Sequence, residues 1–395
     1  MTLQNEVGDG VGVEMLAHGD TGLTAADHDD FYLFDCHRQN PSRNLSLQIV
    51  ANTYSEHLKR DDCRPTAADR GKEPATLIGP GPPQIPVAYM IHHSFGQFDN
   101  HASSYSFIEV KPLAAAIGAE ICGVDCAHVT DSQFAEIEHA LFRHKMIFFR
   151  GQQHVTHADQ AVFSRRFGPF AQDAYTNGVP GFPEVQPVIK EADERTGMLF
   201  GSGWHTDSPF LATPPAVSLL RAVEVPPFGG DTMWANSALA YVSLSDTMRQ
   251  IIDTLRVHMS MANVIAEAQG FAAPTDSPLG RLAQVRGELP GDLQVKVDGN
   301  FHPLVRTHPV TGEKALYCDA TYPVGIEGLR PEEAQPILRF LVDHITQPAF
   351  TCRLRWEAGT FAMWDNRLCL HQAFNDYDGF RREMYRSTIE GERPK

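Results

Sequence analysis

Short apolar runs of strand length recur from about residue 106 to the end of the chain. The run from Met146 to Phe149 is apolar at every position, which predicts a strand buried on both faces. Residues 107–110 and 119–121 predict two earlier short strands. Later strands are predicted at 216–220, 230–234, 315–318, 352–356, 360–364 and 384–390.

Fewer segments show the spacing of a helix. In 131–144, Phe134, Ile137 and Leu141 recur every three or four residues, and Thr130 or Asp131 can cap the first turn. Further helices are predicted at 159–167, 236–255 and 331–344. Many short strands with a few covering helices are typical of a β-sandwich or a β-helix barrel, so we predict a mainly β enzyme core with covering helices.

The first 104 residues show weak periodicity and clusters of Asp, Pro and Gly. Residues 27–30 are Asp-His-Asp-Asp and residues 79–83 are Gly-Pro-Gly-Pro-Pro, which is typical of linkers and irregular segments. We predict that 1–104 is a poorly ordered extension and that 105–395 is the folded domain. One version of this prediction places the native start at Met90. A small separate domain in 1–104 is the alternative.

Composition and charge exclude several classes of binding partner. Lys and Arg number 33 and Asp and Glu number 49, and the resulting net charge of −16 disfavours nucleic acid. No apolar run approaches the ~20 residues of a membrane helix. The first residues lack the basic and apolar regions of a secretory signal, and the seven Cys include no C-x-x-C pair. We expect a cytoplasmic protein that binds neither nucleic acid nor membrane.

The candidate metal ligands begin in the motif Trp204-His205-Thr206-Asp207. In a strand, residues i and i+2 face the same side, so His205 and Asp207 could converge on one ion. His371, which follows an apolar strand, could complete the set. Two His and one carboxylate suit non-haem Fe(II) oxygenases, although His371 could equally be a buried histidine satisfied by hydrogen bonds.

The second candidate group is a pair of arginines in the predicted strand 384–390 and the residues before it. Arg382, Met384, Arg386 and Thr388 alternate along the chain and therefore share one face. If that face points inward, the two guanidinium groups need anions, and Arg is suited to hold a carboxylate. A solvated face is the other interpretation that the pattern allows.

Five ordered motifs, spanning 107–394, resemble the TauD/TfdA family of Fe(II)/2-oxoglutarate-dependent dioxygenases. Residues 1–104 lie outside this resemblance. The opening motif includes Phe148-Phe149-Arg150-Gly151-Gln152. The others are Trp204-His205-Thr206-Asp207, Phe228-Gly229-Gly230-Asp231-Thr232, His308-Pro309-Val310-Thr311-Gly312, and Trp364-Asp365-Asn366-Arg367 continuing to His371.

The resemblance implies a double-stranded β-helix, or jelly-roll, core. It implies that His205, Asp207 and His371 hold Fe(II), with 2-oxoglutarate and O₂ as co-substrates and no catalytic residue beyond the metal site. It also implies that Thr232 and Arg382 hold the distal carboxylate of 2-oxoglutarate. Arg386 would hold either the other carboxylate or an anionic substrate.

Two departures from taurine dioxygenase concern the substrate, which is expected to be a small molecule. Asp173 stands where the taurine enzyme has a sulfonate-binding His, and Ser208-Pro209-Phe210 is closer to the phenoxyacid enzymes. Asp173, Ser208 and Arg386 are therefore the candidate substrate-binding residues.

We expect hydroxylation of a small anion of the sulfonate, sulfate ester or phenoxyalkanoate class, with succinate and CO₂ as further products. An amino-acid-like or betaine-like substrate on the same scaffold is the alternative. A non-enzymatic metal-binding barrel is a third possibility, disfavoured by Thr232 and Arg382. We also expect a homo-oligomer, a dimer or a tetramer.

Overall fold

The computed structural model describes residues 98–172, 177–195, 201–269 and 291–395. Its strands are β1 (Glu109–Pro112), β2 (Ala119–Cys122), β3 (Met146–Phe149), β4 (Gln186–Lys190), β5 (Val217–Glu224), β6 (Thr232–Asn236), β7 (Arg256–Met259), β8 (Asn300–Pro303), β9 (Val305–Thr307), β10 (Lys314–Leu316), β11 (Pro323–Ile326), β12 (Thr351–Leu354), β13 (Phe361–Asp365), β14 (Cys369–Ala373) and β15 (Arg382–Ile389). Its helices are α1 (Asp131–His144), α2 (His157–Arg165), α3 (Ser237–Val242), α4 (Asp246–Ile252), α5 (Ala262–Ala268), α6 (Gly291–Asp298) and α7 (Pro331–Ile345). None of these helices is long and apolar enough to cross a membrane.

Two opposed sheets form the centre of the fold. The larger has the strand order β1-β2-β3-β13-β5-β15-β4, and only its β2–β3 pair is parallel. The smaller is antiparallel, with the order β12-β6-β14. Trp364 and Met384 of the larger sheet share one apolar cluster with Trp234 and Cys369 of the smaller. The predicted jelly-roll core is therefore confirmed.

Helices cover the outer face of the large sheet. Along β13, Ala362 and Trp364 belong to the inner cluster, whereas Phe361 and Met363 belong to a second cluster with Ile137 of α1. Side chains of a strand alternate between its two faces, so one strand contributes to both cores. Burial of these apolar side chains is the main force that holds α1 and α2 on the sheet.

The first predicted helix is confirmed, with its N-cap. Thr130 Oγ1 accepts a hydrogen bond from the backbone N–H of Gln133, and the Gln133 side chain in turn accepts one from the Thr130 backbone N–H. This capping box satisfies two N–H groups that have no partner inside the helix.

The single helix predicted for 236–255 is wrong, because α3 and α4 are separate helices. The Ser243 hydroxyl donates to the Leu239 carbonyl, and Ser245 Oγ accepts from the backbone N–H of Met248 as the N-cap of α4. Two serines that bond to the backbone therefore end one helix and begin the next. The apolar periodicity alone does not reveal this break.

Most of the predicted extension lies outside the described residues, and its order remains a prediction. The last residues of the extension nevertheless contact the folded domain. The Asn100 amide donates to the carbonyls of Ala114 and Gly118 at 2.6 and 2.8 Å, and its oxygen lies 2.6 Å from His144 Nδ1. Specific contacts thus begin before the predicted boundary at residue 105.

Candidate metal centre and buried arginines

The structure brings His205, Asp207 and His371 together between the two sheets. His371 lies on β14 directly opposite Trp234 of β6, and this pair faces the inner core. His205 reaches His371 through two backbone hydrogen bonds, of 3.0 and 2.8 Å, that form an isolated bridge. Asp207 follows two residues later.

The spacing of these three side chains suits one metal ion. Asp207 Oδ1 lies 3.9 Å from His205 Nε2 and 3.8 Å from His371 Nε2, and the ligand atoms of the three residues lie within 4.8 Å of one another. Two imidazole nitrogens and one carboxylate oxygen are the donor set of non-haem Fe(II) oxygenases. The residues present therefore fit Fe(II), and no second such group occurs in the described parts of the chain.

Hydrogen bonds and charges prepare two of these groups for metal binding. His205 Nδ1 lies 2.8 Å from the carbonyl of Gly203, which requires a proton on Nδ1 and leaves the Nε2 lone pair for a metal. Burial opposes ionisation of Asp207, but electrostatic interactions with His371 and with the charged Arg386 outweigh it and lower the pKa of Asp207 to about 2. Asp207 is thus a carboxylate at neutral pH.

The predicted reason for the convergence of His205 and Asp207 is wrong, because these residues are not in a regular strand. Only an isolated bridge is present at His205, and the chain bends after Asp207. Ser208 has a φ of +45°, a backbone conformation that residues other than glycine rarely adopt. The Asp207 carboxylate nevertheless lies beside the His205 and His371 imidazoles without the alternation of a regular strand.

A buried chain of hydrogen bonds supports Asp207, and sequence reasoning missed it. The Ser218 hydroxyl donates to Asp207 Oδ2, and Asn366 Nδ2 donates to Ser218 Oγ at 2.8 Å. Trp364 Nε1 donates to Asn366 Oδ1 at 2.9 Å. Asn366 and Trp364 belong to a motif noted in the sequence, but nothing in the sequence indicated the role of Ser218.

A second group of buried residues surrounds Arg382. Arg382 lies on the inward face of β15, which agrees with one of the two interpretations of the sequence pattern. The Arg382 guanidinium lies 5.8 Å from the ring of Trp356 and 6.0 Å from the ring of Tyr377. Arg382 Nε is buried without a hydrogen bond, and no carboxylate of the described residues forms a salt bridge with Arg382. Burial lowers the pKa of this guanidinium, so an anion would stabilise it.

Thr232 belongs to the same group of buried residues. Its hydroxyl oxygen accepts a hydrogen bond of 2.9 Å from Trp356 Nε1, and Trp356 also faces Arg382. Arg382 and Thr232 together offer a cation and a hydroxyl donor, which fits the distal carboxylate of 2-oxoglutarate. Trp356 is a further residue that sequence reasoning missed.

Arg386 lies closer to the metal ligands. Its Nη1 is 3.5 Å from Asp207 Oδ1, whereas Arg382 lies four residues earlier on β15, about 13 Å away along an extended strand. The two arginines therefore lie at different places between the sheets. Of the remaining candidates, Ser208 is buried beside Asp207, and Asp173 lies outside the described residues.

Comparisons with known proteins agree with this geometry. Residues 109–388 match the family described as taurine catabolism dioxygenase TauD, TfdA family. The chain is 36% identical over 292 residues to the alpha-ketoglutarate-dependent sulfate ester dioxygenase of Pseudomonas putida, with 73% of this chain and 91% of the relative covered. It is 32% identical to an alkylsulfatase of Acinetobacter baylyi, with 72% and 86% covered.

A yeast relative and a crystal structure extend the comparison. The alpha-ketoglutarate-dependent sulfonate dioxygenase of Saccharomyces cerevisiae is 25% identical over 402 residues, covering 97% of this chain and 90% of the relative. That alignment therefore includes most of residues 1–104, which the motifs leave without a counterpart. A taurine dioxygenase structure from Burkholderia xenovorans is 37% identical, with a TM-score of 0.59, and covers 73% of this chain and 93% of that chain.

The family match spans the elements that carry the two histidines, the aspartate and both arginines. The paired sheets, the two-histidine, one-carboxylate group and the extent of the match all lead to one conclusion. The chain belongs to the TauD/TfdA family and is an Fe(II)- and 2-oxoglutarate-dependent dioxygenase.

Proposed function

We propose that this dioxygenase hydroxylates the carbon that bears the ester oxygen of a small alkyl sulfate. The position of Arg386 carries this proposal, because its guanidinium lies 3.5 Å from Asp207 Oδ1, a metal-ligand atom in this assignment. A substrate anion held by Arg386 would have its neighbouring carbons close to the metal. Two similar relatives, the sulfate ester dioxygenase and the alkylsulfatase, are named for sulfate esters.

We assign the site residues as follows. His205, Asp207 and His371 hold Fe(II), and Arg382 with the hydroxyl of Thr232 holds the distal carboxylate of 2-oxoglutarate. Their support is the donor set of the three ligands and the buried guanidinium of Arg382, which has no salt bridge to a carboxylate among the described residues. Arg386, Ser208 and Asp173 are assigned to the substrate. Asp173 is assigned from the sequence alone.

The proposed reaction consumes the alkyl sulfate, 2-oxoglutarate and O₂. When bound, the metal, O₂ and 2-oxoglutarate supply the oxidising chemistry that places one oxygen atom on the substrate carbon and the other in succinate, with release of CO₂. The hydroxylated carbon then carries both an O–H and the sulfate oxygen. Loss of the O–H proton and cleavage of the carbon–oxygen bond to sulfate give an aldehyde and sulfate.

Protein groups contribute positioning and charge. Arg386 binds and orients the sulfate, and the buried surroundings of the inner core keep water from the reacting carbon. An arginine is in general the side chain that holds such an anion without a change of protonation state. A bidentate guanidinium suits the oxygen atoms of a sulfate better than a lysine would.

A substrate panel tests this proposal. The enzyme is supplied with Fe(II), 2-oxoglutarate and hexyl sulfate, hexanesulfonate, 2-phenoxypropionate, taurine or glycine betaine, and succinate, sulfate and sulfite are measured together. We expect hexyl sulfate to give succinate and sulfate in equal amounts. Succinate formation coupled only to glycine betaine would contradict the assignment and favour plain hydroxylation of a zwitterion. Succinate formation coupled only to a sulfonate, with release of sulfite, or only to 2-phenoxypropionate would contradict the choice of a sulfate ester.

We further infer a cytoplasmic homo-oligomer, either a dimer or a tetramer. The five cysteines in the described residues are all free, which supports a reducing compartment. The net charge of −16 supports a protein that does not bind nucleic acid. Light scattering of the purified protein and fractionation of the source cells test these two inferences.

A further inference from the structure

The hydrogen-bond chain behind Asp207 has only one possible direction. An indole N–H can only donate, so Trp364 Nε1 requires the oxygen of the Asn366 amide at 2.9 Å. The Asn366 amide nitrogen must then face Ser218 Oγ at 2.8 Å and donate to it. The single hydroxyl hydrogen of Ser218 remains, and it points to Asp207 Oδ2.

Register places these groups side by side. On the inward face of the large sheet, Ser218 of β5 lies directly opposite Trp364 of β13 on one side and Thr388 of β15 on the other. A further bond runs from the Thr206 hydroxyl to the Asn366 carbonyl at 2.8 Å. The segment that carries Asp207 is therefore tied twice to the turn that follows β13.

This chain distinguishes the two oxygens of Asp207. Oδ2 is occupied by the Ser218 hydroxyl, whereas Oδ1 faces His205 Nε2 at 3.9 Å and His371 Nε2 at 3.8 Å. Ser218 is fully buried and Asn366 nearly so, which means that water does not replace a lost partner easily.

We propose that Ser218 and Asn366 are positioning residues that make Asp207 bind the metal through Oδ1 alone. The proposal rests on the assignment of His205, Asp207 and His371 as metal ligands. Hydrogen-bond partners of metal ligands commonly control affinity, and their loss costs 10-fold to 100-fold in metal binding. A carboxylate released from Ser218 can rotate and offer both oxygens to the metal.

Titration of the full-length protein with a metal ion tests this proposal, because it measures metal affinity and does not depend on catalytic activity. We expect Ser218→Ala to raise the Kd for Mn²⁺, measured as free Mn²⁺ by electron paramagnetic resonance, by about 10-fold to 100-fold. Asn366→Ala should act in the same direction. The Kd for Mn²⁺ of the double variant should rise by less than the product of the two fold-changes measured in the single variants, because both residues act through one chain of hydrogen bonds.

Ser387→Ala is the matched control. Ser387 is also fully buried and lies in the neighbouring strand β15, but its hydroxyl oxygen accepts from Gln160 Nε2 at 3.2 Å. It has no bond to the chain at Asp207, so its loss should leave the Kd for Mn²⁺ unchanged. Ser218→Cys keeps the size of the side chain with a weaker donor and should give an intermediate Kd.

A spectroscopic measurement separates positioning from a general effect on folding. The absorption spectrum of the Co²⁺ form reports the number of ligand atoms, and we expect it to differ between Ser218→Ala and both wild type and Ser387→Ala. Unchanged Mn²⁺ affinity and an unchanged spectrum in Ser218→Ala would overturn the proposal. Asp207→Ala is titrated in parallel, since normal metal binding in that variant would instead refute the ligand assignment itself.

Discussion

The Trp356 indole donates a hydrogen bond of 2.9 Å to the Thr232 hydroxyl while its ring faces the Arg382 guanidinium at 5.8 Å. One side chain thus contacts both residues assigned to the distal carboxylate of 2-oxoglutarate. Because Thr232 Oγ1 already accepts from Trp356, its hydrogen is directed elsewhere and is available to an anion.

We therefore predict that Trp356→Phe weakens 2-oxoglutarate binding about 3-fold to 10-fold, the effect of losing one neutral hydrogen bond. In Trp356→Phe the phenyl ring still packs against Arg382. Trp356→Leu removes this contact as well and should therefore weaken 2-oxoglutarate binding further. Binding of 2-oxoglutarate to the anaerobic Fe(II) enzyme, followed by absorbance, measures the change. Trp234→Phe is the control, because Trp234 Nε1 has no hydrogen-bond partner in the described structure.

The two inward arginines should separate co-substrate from substrate. Arg382→Ala should raise the apparent KM for 2-oxoglutarate by roughly 30-fold to several thousand-fold, since a buried charge-assisted contact is worth about 2–5 kcal/mol. Arg386→Ala should raise the KM for hexyl sulfate more than that for 2-oxoglutarate. Steady-state kinetics with each substrate varied in turn measure both effects.

Arg381→Ala is the matched control for these arginine variants. Arg381 directly precedes β15 and forms partly exposed ion pairs with Glu191, Glu224 and Glu383. Its loss should leave both KM values within about 2-fold of wild type, because exposed pairs contribute little. If Arg386→Ala affects only 2-oxoglutarate, the anionic substrate proposal fails and Arg386 belongs to the co-substrate.

Two buried histidines should make stability fall in mild acid. Burial lowers the pKa of His144 and of His302 to about 4, well below their ordinary value of 6.5. Between pH 6.5 and 4 the unfolded chain binds protons that the folded chain excludes, so stability is lost as the pH falls through this window. Each histidine contributes a slope of about 1.4 kcal/mol per pH unit there.

Urea unfolding at pH 7, 6 and 5 measures this dependence. His302→Gln retains a donor for the Leu211 carbonyl, which His302 Nε2 contacts at 3.0 Å, and removes one titrating group. We expect its stability to depend less on pH than that of wild type, by about the slope of one histidine. An unchanged slope would show that folding does not lower the pKa of His302.

Truncation should locate the start of the folded domain. A chain that begins at Met90 keeps Asn100 and its bonds to Ala114, Gly118 and His144, so we expect it to fold and to decarboxylate 2-oxoglutarate. A chain that begins at residue 105 leaves His144 Nδ1 without its partner and should lose about 1–3 kcal/mol. Thermal unfolding and succinate formation distinguish the two truncations. Loss of folding in the longer one would show that residues before Met90 are structural.

Local sequence patterns were sufficient for much of the fold and for the candidate ligands. Period-two alternation placed Arg382 and Arg386 on one shared face of a strand, because strand geometry depends only on neighbours along the chain. That this face points inward was decided by the folded structure, in which Arg382 is buried. Apolar runs and the Thr130 cap likewise identified β3 and α1. The His205-Thr206-Asp207 motif and His371 were recognisable because the chemistry of Fe(II) restricts its ligands to a few residue types.

Contacts between segments that are distant along the chain could not be predicted from the sequence, because only the tertiary structure brings those segments together. Asn366 and Ser218 are 148 residues apart and Trp356 and Thr232 are 124 apart, and strand order and register bring each pair together. A serine in an apolar strand carries no signal of which carboxylate it will meet. The residue types of the metal site are thus set by the sequence, whereas the support of Asp207 and Thr232 is decided by the packing of the two sheets, because hydrogen bonds require an alignment that only the folded chain provides.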